Sequence, residues 1–77
     1  MSTSIRNVDH VLTNYTFQEY YVAEVTQCLQ KCLDNEMCVS FNFEYSKVGS
    51  KKCELNNSTR AWAKEKFQER LGFVYYD

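Results

Sequence analysis

The chain has no proline, two glycines and one histidine among its 77 residues. So little proline and glycine argues against a linker or a low-complexity segment, and no internal repeat is visible. No stretch approaches the run of about 20 apolar residues that a bilayer-spanning helix needs, so no membrane insertion is expected. The amino-terminal MSTSIRNVDH also lacks the apolar core of a signal peptide. A net charge of −1 excludes a strongly basic nucleic-acid binder. Acid–base chemistry has little to work with. The one histidine, His10, lies near the amino terminus and is expected to face solvent, and Ser40 has no neighbouring acid–base partner suggested by the sequence. The expectation is a protein that is not an enzyme and carries no cofactor.

What the chain does have is four cysteines, an even number in a short sequence, which fits a disulfide framework. The physical need for one is plain. Ordering a domain of this size costs on the order of 100 kcal/mol of conformational entropy, at about 1.5 kcal/mol per residue. Apolar burial roughly balances that sum, so covalent constraints matter. Disulfides without a signal peptide are reconciled if residues 1–77 are one module of a longer secreted protein, with Met1 an addition. The expected location is extracellular.

The local pattern predicts mixed structure. Val25, Cys28, Leu29, Cys32 and Leu33 follow the i, i+3, i+4, i+7, i+8 stripe of a helix with one buried face. That predicts a helix over 26–34, with Thr26 as N-cap and Asn35 ending it in the left-handed conformation. Gln27, Gln30, Lys31 and Asp34 take its outer side. In CVSFNFEY, starting at Cys38, aromatic and polar residues alternate as in a half-buried strand. SKVGSKK supplies a turn at Gly49 and KCELN returns as the partner strand, giving a hairpin over about 38–56. Cys38 has the opposite parity to Phe41 and Phe43, which requires either a bulge or a sheet covered on both faces. HVLTNYTFQEYYVAEV reads as two short strands and GFVYYD as a closing strand. Residues 60–71, RAWAKEKFQERL, carry a helical charge pattern with mixed apolar spacing, consistent with a regular helix or with a loop containing one helical turn.

Four cysteines allow three pairings. Cys28 with Cys32 is disfavoured, because side chains one helical turn apart run roughly parallel whereas a disulfide needs a near-perpendicular dihedral. The short connection DNEM lets Cys32 reach Cys38, leaving Cys28 for Cys53 on the returning strand. By loop-closure entropy the small ring is worth about 2.4 kcal/mol and the large one about 3.5 kcal/mol. A zinc site is the competing chemistry, but Cys-x3-Cys-x5-Cys-x14-Cys lacks the paired knuckles that tetrahedral sites favour.

Taken together, CLQKCLDNEMCVSFNFEY, KCELNNSTR and KFQERLGFVYYD resemble the PAN/apple domain family. The likeness rests on the Cys-x3-Cys helix, the third cysteine leading into SFNF, the fourth in CELN, and the closing GFVYY strand. HVLTNYTFQEYYV fits the opening strands, so nearly the whole chain is covered. The resemblance implies an α+β fold, an antiparallel sheet of about five strands cradling one helix, with the nested disulfides. Many apple domains add a third disulfide joining the termini. Here no cysteine precedes Cys28 or follows Cys53, so the chain is similar to the shorter four-cysteine PAN form. The resemblance also implies protein or carbohydrate binding without catalysis, and no shared binding motif that could be carried over.

Candidate contacts come from charge and composition. Residues 1–45 sum to −4 and residues 46–77 to +3. Lys47, Lys51 and Lys52 flank the Gly49 turn, and Arg60 and Trp62 follow the second hairpin strand. Loops on a rigid scaffold are favoured recognition sites, and Trp and Arg are favoured anchors. These five residues are the candidate contacts for an anionic glycan or an acidic protein surface, against the plainer alternative that the lysines serve solubility and Trp62 the core. Asn14-Tyr-Thr, Asn56-Asn-Ser and Asn57-Ser-Thr are N-glycosylation sequons, with Asn14 and Asn57 the candidates. The reading is a recognition module within a larger protein, with self-association left open. A freestanding secreted effector or inhibitor is the alternative.

Overall fold

A computed structural model describes residues 6–77, so Met1 and its reading as an addition lie outside the described residues. The elements in chain order are β1 (Arg6–Leu12), β2 (Thr16–Val22), α1 (Val25–Leu33), β3 (Ser40–Phe43), β4 (Lys51–Asn56) and β5 (Phe67–Tyr76), with a 3-10 turn at Lys64–Lys66. Five strands form one antiparallel sheet in the order β1-β5-β3-β4-β2. This is the expected α+β arrangement. The two opening strands are neighbours in sequence yet take opposite edges of the sheet.

The centre is β3, and its four residues SFNF are all buried. The strand is covered on both faces, which corrects the half-buried expectation, and the parity difficulty falls away because Cys38, outside the strand, packs on the same side as Phe41 and Phe43. On one face Phe41 and Phe43 pack with Leu55, Val74 and the four cysteines, under α1. On the other, Leu12, Ala63 and Tyr75 form a second core flanked by Tyr15 and Phe67. Burying each large side chain contributes about 1.5–3 kcal/mol, so two small cores do here what one cannot. Cys38 precedes the strand and escapes its alternation altogether.

The polar residues of SFNF are not turned to solvent. Asn42 Oδ1 accepts from the Leu12 backbone N–H at 3.0 Å, and Asn42 Nδ2 donates to the Leu12 carbonyl at 2.9 Å. Its second amide hydrogen goes to Glu54 Oε1 at 3.0 Å. The side-chain amide thus acts as a peptide group toward β1. Ser40 Oγ donates to the Ser58 carbonyl at 2.6 Å and accepts from Asn56 Nδ2 at 3.2 Å. Buried polar groups are tolerated only when paired in this way.

Helix α1 starts one residue earlier than expected, and Thr26 lies inside its first turn. Glu24 is the N-cap. The Gln27 side chain folds back, its Oε1 accepting from the N–H groups of Ala23 (2.7 Å) and Glu24 (3.2 Å), so the orphan donors ahead of the helix are met. Cys28 and Cys32 are its buried residues, whereas Leu33 is 53% exposed. At the far end Asn35 is not left-handed; among the described non-glycine residues only Asp9 and Asn14 have positive φ. Asn35 turns the chain with its side chain instead, Oδ1 accepting from the Met37 N–H at 2.9 Å.

The segment 60–71 resolves as a loop with one helical turn, and from Phe67 onward it is strand. Its helical charge pattern loses to tertiary contacts. Phe67 packs edge-on to Tyr75 at 5.1 Å and stacks on His10 at 5.1 Å. His10 is therefore ordered in β1 and part-buried, rather than a solvent-facing terminal residue. Opposite Asp9 the β1–β5 register jumps from Val8↔Val74 to His10↔Glu69. Asp9 Oδ1 closes the gap, accepting from the Gly72 N–H (3.0 Å) and the Tyr45 hydroxyl (2.6 Å). Gly72 has φ 91°, and a Cβ there would lie 2.5 Å from Ser46 Oγ, so no larger residue fits without a shift.

Candidate functional site

Two disulfides fasten α1 to the hairpin: Cys28–Cys53, with 25 residues of separation and Cα atoms 5.5 Å apart, and Cys32–Cys38, with 6 and 5.2 Å. No cysteine is free, so the sulfur that a zinc-thiolate site or a cysteine nucleophile would use is already bonded. The staples grip the middle of the sheet. The five candidate contacts lie toward its two ends.

One end carries the hairpin turn. There the last residues of β2 and the next position (Tyr21, Val22, Ala23), the outer side of α1 (Gln27, Gln30, Lys31, Asp34) and Ser50 line an open groove of about 490 Å³. Lys47, Lys51 and Lys52 stand around it: Val22 pairs with Lys51 and Tyr21 with Lys52, and Lys47 Nζ lies 5.8 Å from the Tyr21 ring centroid. Lys31 Nζ sits 4.8 Å over the Tyr20 ring, a cation–π contact that holds the ammonium close to the groove. Two nearby carboxylates are partly engaged. Asp34 Oδ1 accepts from Gln30 Nε2 at 2.9 Å, and Glu44 Oε1 from the Lys52 N–H at 3.3 Å. The groove therefore offers amide and ammonium donors beside Tyr21, which is 63% exposed.

The other end carries Arg60 and Trp62. Strand β4 separates the two ends, roughly 17 Å at about 3.3 Å per residue, so the five candidate contacts do not form one patch. Arg60 is partly committed: its N–H donates to the Tyr75 hydroxyl at 2.9 Å, and its Nε lies 3.4 Å from Asp77 Oδ2. The same Tyr75 hydroxyl donates to Asp77 Oδ2 at 3.0 Å. Burial pushes the Tyr75 phenol up to about 12, so it stays a donor at any physiological pH. Trp62 is 88% exposed and takes no part in the core. With Val39, Asn57, Ser58 and Thr59 it lines a second, smaller groove of about 220 Å³.

The two candidate sequons also meet at this end. The Asn57 N–H donates to the Tyr15 carbonyl at 3.0 Å, which brings the loop holding Asn14 against the loop holding Asn57. Asn57 and Asn14 are both exposed. Asn56 is fully buried, its amide bonded to Thr16 Oγ1 (2.8 Å) and Ser40 Oγ (3.2 Å).

Sequence reasoning passed over the α1 groove. Its signal was present in the polar outer side of the helix and in the second tyrosine of the Tyr20–Tyr21 pair, which alternation turns away from the buried side.

The PAN domain family model matches residues 3–77. The chain belongs to the PAN domain family. Its two disulfides among four cysteines make it the four-cysteine form. No curated protein and no solved structure matches the chain significantly. PAN domains are, as a family, binding modules for proteins or carbohydrates, typically without catalysis, and they and their disulfides are typical of extracellular proteins. No helix among the described residues is long and apolar enough to cross a membrane.

Proposed function

We propose that this PAN domain is a non-catalytic recognition module of a larger secreted or surface protein, and that it takes an anionic glycan in the groove between α1 and the hairpin turn. One observation carries the reading. A groove of about 490 Å³ and four lysines, Lys31, Lys47, Lys51 and Lys52, converge at the same end of the sheet. Sugars need directional donors and an aromatic surface; anionic ones also need positive charge that stays accessible. The groove supplies amides from Gln27 and Gln30, the Tyr21 ring and the surrounding ammonium groups. The scaffold behind it is cross-linked, so little ordering is required when a ligand binds.

The test is retention on a heparin column against salt. Changing Lys47, Lys51 and Lys52 together to serine should lower the salt needed for elution. Wild-type protein that flows through at low salt would refute an anionic-glycan ligand. Retention that the triple substitution leaves unchanged would move the contact away from this groove.

A further inference from the structure

We infer that Asn57 is an N-glycosylation site and that its first sugars seat on Trp62, filling the groove that the sequon itself helps to build. The inference rests on the extracellular placement proposed above but not on the ligand proposed there. Three residues of the groove are Asn57, Ser58 and Thr59, the whole sequon, and the other two are Trp62 and Val39. An indole 88% exposed beside a Val39 that is 39% exposed is an apolar surface in want of a cover. The apolar C–H face of a sugar ring suits an indole plane, while its hydroxyls suit the amide and hydroxyl groups around it.

The loop is held ready for this. Its backbone is pinned at every sequon residue: the Asn57 N–H to Tyr15, the Ser58 carbonyl to Ser40 Oγ, and the Thr59 carbonyl to the N–H groups of Trp62 and Ala63 (3.1 and 3.0 Å). Thr59 thereby places Trp62 directly. A sugar tethered at Asn57 meets the indole as an intramolecular partner, at high effective concentration. Asn56 offers no such outlet. It is fully buried and both ends of its amide are bonded, so a sugar there is incompatible with the fold. Attachment requires a lipid-linked diphosphate oligosaccharide as donor. The Asn57 amide nitrogen loses a proton and bonds to C1 of the donor's first sugar, and the C1–O bond to the diphosphate breaks with the electron pair leaving on the lipid diphosphate.

The functional consequence is a division of the molecule. Asn57, and Asn14 on the adjoining loop, point sugars away from the lysine end, and Trp62 becomes a glycan seat rather than a ligand anchor.

The experiment uses the full chain behind a secretory leader in eukaryotic cells. Two single substitutions separate the adjacent sequons. Thr59→Ala removes that of Asn57 and leaves Asn56-Asn57-Ser58, whereas Ser58→Ala removes that of Asn56 and leaves a sequon at Asn57. Mass spectrometry of the peptide holding residues 56–59 should show sugar in wild type and Ser58→Ala and none in Thr59→Ala. Trp62 is the only tryptophan, so its fluorescence reports the seat. Wild-type emission should be blue-shifted and less quenched by acrylamide than that of Asn57→Gln from the same cells. A secreted, disulfide-bonded protein without sugar at Asn57 overturns the inference, as does sugar at Asn57 with unchanged quenching. Failure to secrete with intact disulfides would instead count against the extracellular placement.

Discussion

Replacing Asn42 by alanine should remove a large share of this domain's folding free energy, although no apolar contact of consequence is lost. Asn42 is fully buried and makes three hydrogen bonds, two of them to the backbone of Leu12, itself 1% exposed. The Leu12 N–H can only donate, so the oxygen of the amide must face it and the nitrogen must face the Leu12 carbonyl. Truncation strands both Leu12 groups away from water, at about 1–3 kcal/mol each, or roughly 2–6 kcal/mol together. Domains of this length hold about 4–12 kcal/mol in all, at 0.05–0.15 kcal/mol per residue. Taking about 3 kcal/mol as the working figure, the thermal midpoint should fall by roughly 12–24 °C. Denaturant unfolding is the sharper assay, because a lower midpoint at constant slope isolates the stability change. Asn42→Asp should be at least as damaging at neutral pH, since it sets a carboxylate oxygen against the Leu12 carbonyl and the Glu54 carboxylate. Acidification should then return part of that loss, as the introduced carboxyl regains a proton to donate, and should do nothing comparable for Asn42→Ala. A loss below about 1 kcal/mol in the alanine variant, or no pH-dependent difference between the two, would refute the claim that this side chain stands in for a strand.

The covalent and electrostatic framework carries two further outcomes. Replacing Cys28 and Cys53 by alanine opens a ring of 25 residues' separation, whereas replacing Cys32 and Cys38 opens one of 6, so chain entropy makes the first pair the costlier by about 1 kcal/mol; equal or reversed losses of thermal midpoint would assign the order to packing. Tyr75 has its phenol raised from 10.0 to about 12 in the folded state, so the folded form prefers it protonated. That contribution is full below pH 10 and is lost as pH climbs toward 12. The Tyr45 phenol is also raised, by its hydrogen bond to Asp9, so absorbance titration should show a late step from Tyr75 near 12 that Tyr75→Phe abolishes while the Tyr45 step remains.

The fold was readable wherever one local rule acted alone. The Val25–Cys32 stripe has helical period whatever surrounds it, and Gly49, at φ 86°, sits in a turn between two strand-like runs. Where two rules competed, the sequence could not rank them. Residues 60–71 have helix-forming charges, but Phe67 is claimed by His10, Tyr75 and the second core, contacts more than fifty residues apart along the chain in the case of His10. The second core also explains why SFNF looked amphipathic. Its Ser40 and Asn42 resemble solvent-facing residues because they bond to buried backbone and side chains, and alternation cannot distinguish water from a well-placed Leu12 or Ser58. Thr26 lost the N-cap for a similar reason: Gln27, the next residue along, reaches back to Ala23 and Glu24.

The site was legible by composition and not by place. Lys47, Lys51, Lys52, Arg60 and Trp62 stand within sixteen residues of one another, and proximity in sequence suggested one surface. A strand intervenes, and a strand carries the residues before it and the residues after it to opposite ends. The same geometry makes neighbours of Asn14 and Asn57, forty-three positions apart, because β2 and β4 are paired through Thr16 and Asn56. Strand pairing is thus what sorts the surface. It places the exposed indole beside the Asn57 sequon and leaves the lysines around the α1 groove, so a glycan at the proposed Asn57 site would not obstruct a ligand at the other end. Binding at the α1 groove should accordingly be the same for wild type and for Asn57→Gln, measured as the salt of elution from heparin; a shift between them would mean that the two ends are not independent.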